Sequence, residues 1–190
     1  MPFQTQWFDQ NIPYWQQYLH RFKDKPNLKF LELGCFEGRA TKWLLTHILT
    51  DSTSKIIVVD TFEGSPEFSL GNIDASNLEA TFMKNVAKHK KKVEVWKGRT
   101  ELIDKADYNQ FDFIYVDASH QAIDVLHDGV MSFNLLKPGG SIIFDDYTWA
   151  PELSVRERPH KAIQALIDIW GGYYGTWKFW IDQAAFTRYL

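Results

Sequence analysis

Five short apolar runs, each closing on a glycine or an acidic residue, constrain this chain more than any other feature. They are "LKFLEL", which meets Gly34, then "SKIIVVD", "KVEVWKG", "FDFIYVD" and "SIIFDD". Apolar residues run on in them without strict alternation, the pattern of strands covered on both faces. The stretches between carry helical spacing. "RATKWLLTHILT" has it through Ala40, Trp43, Leu44 and His47; "SNLEATFMKNVAKH" opens with Ser76 and Glu79 placed as a capping box; Gln121–Leu136 is stopped by "KPGG". Strands alternating with helices predict an α/β fold, a doubly wound, Rossmann-like parallel sheet with helices on both faces. At the C-terminal end "HKAIQALIDIW" reads as a helix and "WKFWIDQAAFTRYL" as an antiparallel hairpin, making a mostly parallel sheet of seven strands. A further amphipathic helix is expected over Asp9–Phe22, ahead of Pro26. One domain over 1–190 is expected: an N-terminal helical segment at 1–27, a core at 28–147, and the last helix and hairpin at 148–190.

Composition narrows the partners. A formal net charge of −3 argues against a polyanion, so nucleic acid is not expected as a ligand. The run "KHKKKVE" from Lys88 is short and isolated and reads as a solvated loop. No apolar run nears the roughly 20 residues that cross a bilayer, and no membrane partner is expected. "MPFQTQWFDQ" lacks the layout of a signal peptide, and the one cysteine, Cys35, excludes an internal disulfide; the expectation is a cytoplasmic protein. Aromatic content is 16% with eight tryptophans, crowded toward the two ends, and core filling is the expected use of most of them.

In sheets of this kind ligands lie outside the carboxyl ends of the strands. The first such end, "LELGCFEG", turns on Gly34 and Gly38, which lack the G-x-G-x-x-G spacing of a dinucleotide turn. The glycines permit a tight turn and close backbone approach, and the next helix offers free N–H groups to a carboxylate or phosphate. Asp60 ends the second strand, where an acidic side chain accepts ribose hydroxyls; alternatively it caps a turn. Glu32 separates two classes of cofactor. A carboxylate beside the turn repels a pyrophosphate and attracts a cofactor bearing ammonium and sulfonium charges.

"LELGCFEG", "VVDTFEGSPE", "VDASH", "LLKPGG" and "IIFDDY", in that order, resemble the class I S-adenosylmethionine-dependent methyltransferases. Within that group they resemble the small-molecule O-methyltransferases related to the macrocin and aminocoumarin-sugar enzymes, over about Lys29–Tyr147. Phe36 departs from the family's first motif, where a middle glycine is frequent. The resemblance implies that Glu32, Gly34 and Gly38 face the methionine part of S-adenosyl-L-methionine, that Asp60 faces its ribose, and that Gly98, Arg99 and Thr100 lie near the adenine, with Asp117 also at the cofactor. For Arg99 a plain surface charge is the alternative.

Asp117 ends the fourth strand, and Asp145 and Asp146 end the fifth. Neighbouring strands lie about 4.8 Å apart, so these carboxylates converge, and they repel unless a cation sits among them. Oxygen ligands suit a hard ion such as Mg²⁺, and the resembling sugar methyltransferases carry a metal on aspartates placed like Asp117, Asp145 and Asp146. Alternatively Asp117 caps a helix and the other two bind water or backbone at a turn. His120, with Asp117 sharing the role, is the expected base for the acceptor oxygen; alternatively it is a first-turn helix residue. Arg156, Arg158, His160 and Lys161 either contact an anionic acceptor or form a surface loop.

The function expected is methyl transfer to a hydroxyl of a small molecule, a sugar or natural product. The rivals are an S-adenosylmethionine-binding domain with a decayed acceptor site and an NAD- or nucleotide-using enzyme. The acceptor pocket is expected from the Thr61–Ala75 loop, the N-terminal helix and the segment after Tyr147. The chain is short for the resembling family, which leaves open a homo-oligomer whose neighbouring subunit completes that pocket.

Overall fold

The structure, a computed structural model, describes residues 3–65 and 73–190. Seven strands form one sheet in the order β3-β2-β1-β4-β5-β7-β6. They are β1 Lys29–Leu33, β2 Lys55–Asp60, β3 Val93–Lys97, β4 Phe111–Val116, β5 Leu136–Phe144, β6 Gly175–Trp180 and β7 Gln183–Arg188. The first five pair in parallel, while β7 runs antiparallel to β5 and β6 antiparallel to β7. The helices are α1 Ile12–Tyr18, α2 Arg39–His47, α3 Leu78–Asn85, α4 Ala122–Leu135 and α5 His160–Trp170. No helix among the described residues is long and apolar enough to cross a membrane.

Alternation along the strands sorts the core into two layers. Phe30, Val58, Phe113, Tyr115, Ile143 and Ala185 face Trp15, Leu19, Trp43, Leu44 and Phe82 from the N-terminal segment, α2 and α3. Leu31, Leu33, Ile114, Val116, Ile142, Phe144 and Phe186 face Val125 and Leu135 of α4 and Ile163, Leu166 and Trp170 of α5. The doubly wound expectation is thereby met, hairpin included. Core filling accounts for Trp15, Trp43 and Trp170, whereas Trp7 and Tyr173 are exposed.

Four local expectations change. The helix expected over Asp9–Phe22 is broken into a 3-10 turn at Trp7–Asn11, α1, and a second 3-10 turn at His20–Phe22. Pro13 suits only the first turn of a helix, and α1 closes at the fully buried Leu19. The Ser76–Glu79 capping box does not form: the Ser76 hydroxyl donates to Asp74 (2.6 Å), and Glu79 pairs with Lys97 (2.6 Å). "KPGG" does end α4, but the chain passes directly into β5, whose pairing with β4 is irregular there. The basic run expected as a loop is a 3-10 turn, Ala87–Lys92.

What positions the site is the close approach of β1 to β4. Gly34 adopts φ +77°, and a Cβ on it would stand 1.9 Å from the carbonyl oxygen of Asp117. Beneath that turn lies Glu32, level with Val58 and Tyr115 on the neighbouring strands and 1% exposed. Burial, with the nearby charge of Asp60 adding to it, pushes its carboxyl from an ordinary 4.5 up to about 8, although the Thr41 hydroxyl donates to Oε2 (2.6 Å).

Gly34→Ala is expected to destabilise the protein by about 2–5 kcal/mol, from left-handed strain plus overpacking against backbone; denaturant unfolding that matches the parent contradicts it. The native state holds a proton on Glu32 that the unfolded chain releases, so Glu32 makes stability fall as pH rises from about 5 to about 8. Glu32→Gln is therefore expected to flatten the stability–pH curve in that window, by up to about 1.4 kcal/mol per pH unit. An unchanged slope in chemical denaturation contradicts the assignment.

Candidate active site

Backbone hydrogen bonds continue past the strands at one edge of the sheet. Gly34 N–H donates to Val59 O (2.9 Å), Asp117 N–H to Leu33 O (2.8 Å), Asp145 N–H to Val116 O (3.0 Å) and Gly98 N–H to Asp60 O (2.9 Å). Glu32, Gly34, Asp60, Gly98, Asp117 and Asp145 are thus gathered along one rim.

The first turn takes three left-handed residues in a row of alternate positions, Gly34, Phe36 and Gly38. For glycine this is free; Phe36, at φ +49°, carries strain of about 1–3 kcal/mol. Asp60 holds the turn in place. Its Oδ2 accepts N–H bonds from Cys35 (2.7 Å) and Phe36 (3.1 Å), and its Oδ1 accepts one from Phe62 (2.7 Å). The turn amides of Cys35 and Phe36 are therefore committed to Asp60. A carboxylate offers about four acceptor positions, so one remains on Oδ1 for a hydroxyl. Gly38 begins α2, where a Cβ would stand 2.6 Å from the Phe82 ring.

Glu37, which the sequence reading passes over, is 3% exposed and accepts both the backbone N–H (2.8 Å) and the side-chain amide (2.9 Å) of Gln4. Gln4 also exchanges bonds with the backbone of Asp74. The N-terminal segment is thereby tied to the turn and to the loop after β2. Residues 66–72 of the Thr61–Ala75 loop lie outside the described residues.

At the other end of the rim, the three expected aspartates are split between two groups. Asp117, His120 and Asp146 bring one ligand atom each within 4.8 Å of one another, and so do Asp145, Asp146 and Asp182. Asp146, at φ +60°, turns its carboxylate to His120, whose Nε2 lies 2.9 Å from Oδ2. Trp149 covers the imidazole at 4.3 Å between ring centroids. Asp145 points inward: its Oδ1 accepts the Asp146 N–H (3.0 Å) and its Oδ2 accepts the hydroxyl of Tyr115. That hydroxyl is also 2.9 Å from Asp117 Oδ2. Burial and then the charge of Asp146 raise the Asp145 carboxyl to about 7; burial, then Asp145 and Asp146, push Asp117 up as well. This is the response of carboxylates crowded together away from water.

Of the adenine-side residues, Gly98 lies beside Asp60, while Arg99 is exposed and pairs with Glu101 (3.2 Å), the surface alternative. Thr100 opens a 3-10 turn. Arg156 and Lys161 are exposed, and His160 stacks on Tyr147 (4.7 Å). Besides Glu37, the sequence reading misses Tyr115 and Asp182. For Tyr115 a signal exists, since a residue two before Asp117 projects from the same strand face.

The family described as a methyltransferase domain matches residues 31–147. Among solved structures, the chain is similar to the O-methyltransferase TomG of Streptomyces achromogenes, solved with S-adenosylmethionine (13% identity, 100% of this chain and 83% of that one, TM-score 0.68). It is similar to an O-methyltransferase of Bacillus cereus, solved with S-adenosylhomocysteine (17%, 98% and 84%, TM-score 0.66). It is also similar to MycE of the mycinamycin pathway, solved with Mg, S-adenosylhomocysteine and mycinamycin VI; there the chain spans 50% of the longer protein (14%, all of this chain, TM-score 0.65). Sheet order, the glycine turn and the family match agree: the chain belongs to the methyltransferase domain family, on the fold of the class I S-adenosylmethionine-dependent enzymes.

Proposed function

We propose that this protein transfers a methyl group from S-adenosyl-L-methionine to a hydroxyl of a small molecule, a sugar or natural product, assisted by a divalent ion. The observation that carries the reading is the Asp146–His120 pair, 2.9 Å apart, with Asp117 beside it at the rim that also holds the glycine turn.

The donor set suits such an ion. Carboxylates from Asp117, Asp145 and Asp146 supply hard oxygen atoms, and Mg²⁺ prefers these to imidazole. His120 is thereby left for proton transfer. When bound, the ion lowers the pKa of the acceptor hydroxyl. The acceptor oxygen attacks the methyl carbon, the carbon–sulfur bond breaks with its electron pair on sulfur, and the hydroxyl proton passes to Nδ1 of His120, because Nε2 keeps its own proton toward Asp146. Asp146 stabilises the imidazolium so formed, and the Trp149 ring limits how the imidazole turns. Alignment of donor and acceptor at one rim supplies the rest of the rate. The complexes of TomG and the Bacillus cereus enzyme support the choice of donor, and the MycE complex supports the ion and the class of acceptor.

Asp60→Ala is expected to weaken S-adenosylhomocysteine binding more than tenfold in calorimetry, through loss of both the ribose contact and the turn brace; unchanged affinity removes Asp60 from the cofactor site. His120→Ala is expected to lower kcat by about 10²–10⁴ without altering cofactor affinity. The measurement is turnover of labelled methyl donor over a panel of hydroxylated acceptors, and a variant as fast as the parent contradicts the assigned base. EDTA is expected to abolish turnover and Mg²⁺ to restore it.

A further inference from the structure

The two inner carboxylates of the rim rest on a buried assembly that neither the sequence motifs nor the family match assigns. Tyr115 and Asp117 project from the same face of β4, and the register Tyr115↔Ile143 and Val116↔Phe144 sets Asp145 beside Asp117. The Tyr115 hydroxyl lies between them, 2.9 Å from Asp117 Oδ2 and within bonding distance of Asp145 Oδ2. A phenol carries one proton, so a single donor serves two acidic groups and ties them at one separation.

The ring itself is immobilised. Tyr115 is 2% exposed, and Trp15, fully buried, meets it edge-on at 4.8 Å and 90°. The Trp15 indole N–H donates to Oε1 of Gln183 (2.8 Å), and the Trp180 indole N–H donates to the same oxygen (2.8 Å). Two donors on the carbonyl end fix which way the amide faces. Its nitrogen is buried and without a hydrogen-bond partner among the described residues. The assembly draws on α1, β4, β6 and β7, so it cannot shift without repacking the sheet.

We propose that Tyr115 is a positioning residue of the acidic rim: its hydroxyl fixes Asp117 and Asp145, each a member of one of the two carboxylate groups that share Asp146, so that the rim receives a divalent cation, while Trp15, Trp180 and Gln183 hold the far side. The inference rests on the metal reading given above. Groups that orient metal ligands from behind typically contribute 10–100-fold to affinity. Tyr115→Phe removes only the hydroxyl and keeps the ring against Trp15.

The test is Mn²⁺ binding to the cofactor-free full chain, followed by electron paramagnetic resonance, with S-adenosylhomocysteine affinity measured in parallel by calorimetry. Tyr115→Phe is expected to weaken Mn²⁺ binding about 10–100-fold and to leave S-adenosylhomocysteine affinity within about twofold of the parent. Gln183→Leu, which takes the partner from both indoles, is expected to weaken Mn²⁺ in the same direction. Equal Mn²⁺ affinity in parent and Tyr115→Phe overturns the proposal, and so does an equal loss of both ligands, which makes Tyr115 a packing residue. A parent that binds S-adenosylhomocysteine but no Mn²⁺ overturns it while leaving the methyltransferase reading in place. A parent that binds neither ligand counts against both.

Discussion

Everything at the candidate site depends on the register of three parallel strands. Because β1, β4 and β5 end level and their hydrogen bonds run one residue further, Gly34, Asp117 and Asp145 emerge side by side. A slip of one residue in any of these strands would turn its acid to the opposite face and out of the group. The register is held by the core on both faces, where Phe30, Phe113 and Tyr115 pack on one side and Leu31, Ile114 and Ile142 on the other. Gly34 makes the arrangement possible at all, since any larger residue would meet the carbonyl of Asp117.

The cost of that register is electrostatic. Glu32, Asp60, Asp117, Asp145 and Asp146 stand close to one another, and the protein deals with each differently. Glu32 is enclosed and holds its proton into neutral pH. Asp60 takes three backbone N–H bonds, which satisfy a carboxylate without a counter-ion. Asp146 faces His120, and Asp117 and Asp145 share the Tyr115 hydroxyl. A rim so arranged is strongly negative wherever a carboxylate is left charged, and it is suited to a cationic methyl donor and a divalent ion together.

Much of this was legible in the sequence, for a physical reason. Buried parallel strands must be almost wholly apolar, so the acid that ends each run stands out, and Asp60, Asp117 and Asp145 are found where the runs stop. The hairpin was legible too, because "WKFWIDQAAFTRYL" has a polar pair between two apolar stretches. Side-chain direction was not. That Asp145 points inward while Asp146 turns out to His120 follows from φ +60° at Asp146, and nothing in the pair "DD" announces it. Nor does Phe36 reveal that it accepts the left-handed conformation of a missing glycine. The Ser76–Glu79 pattern failed because Asp74 and Lys97, distant or unweighed in a local motif, compete for the same side chains. Gln183 looked like an ordinary strand residue; its role exists only once α1, β4, β6 and β7 are packed together.

The most direct measurement is a crystal structure of the protein grown with S-adenosylhomocysteine and Mn²⁺. The account predicts the amino-acid tail of the ligand over the Gly34–Gly38 turn, its ribose at Asp60, and an anomalous peak among Asp117, Asp145 and Asp146. Ligand density at any other edge of the sheet, or a manganese peak remote from these aspartates, would contradict it.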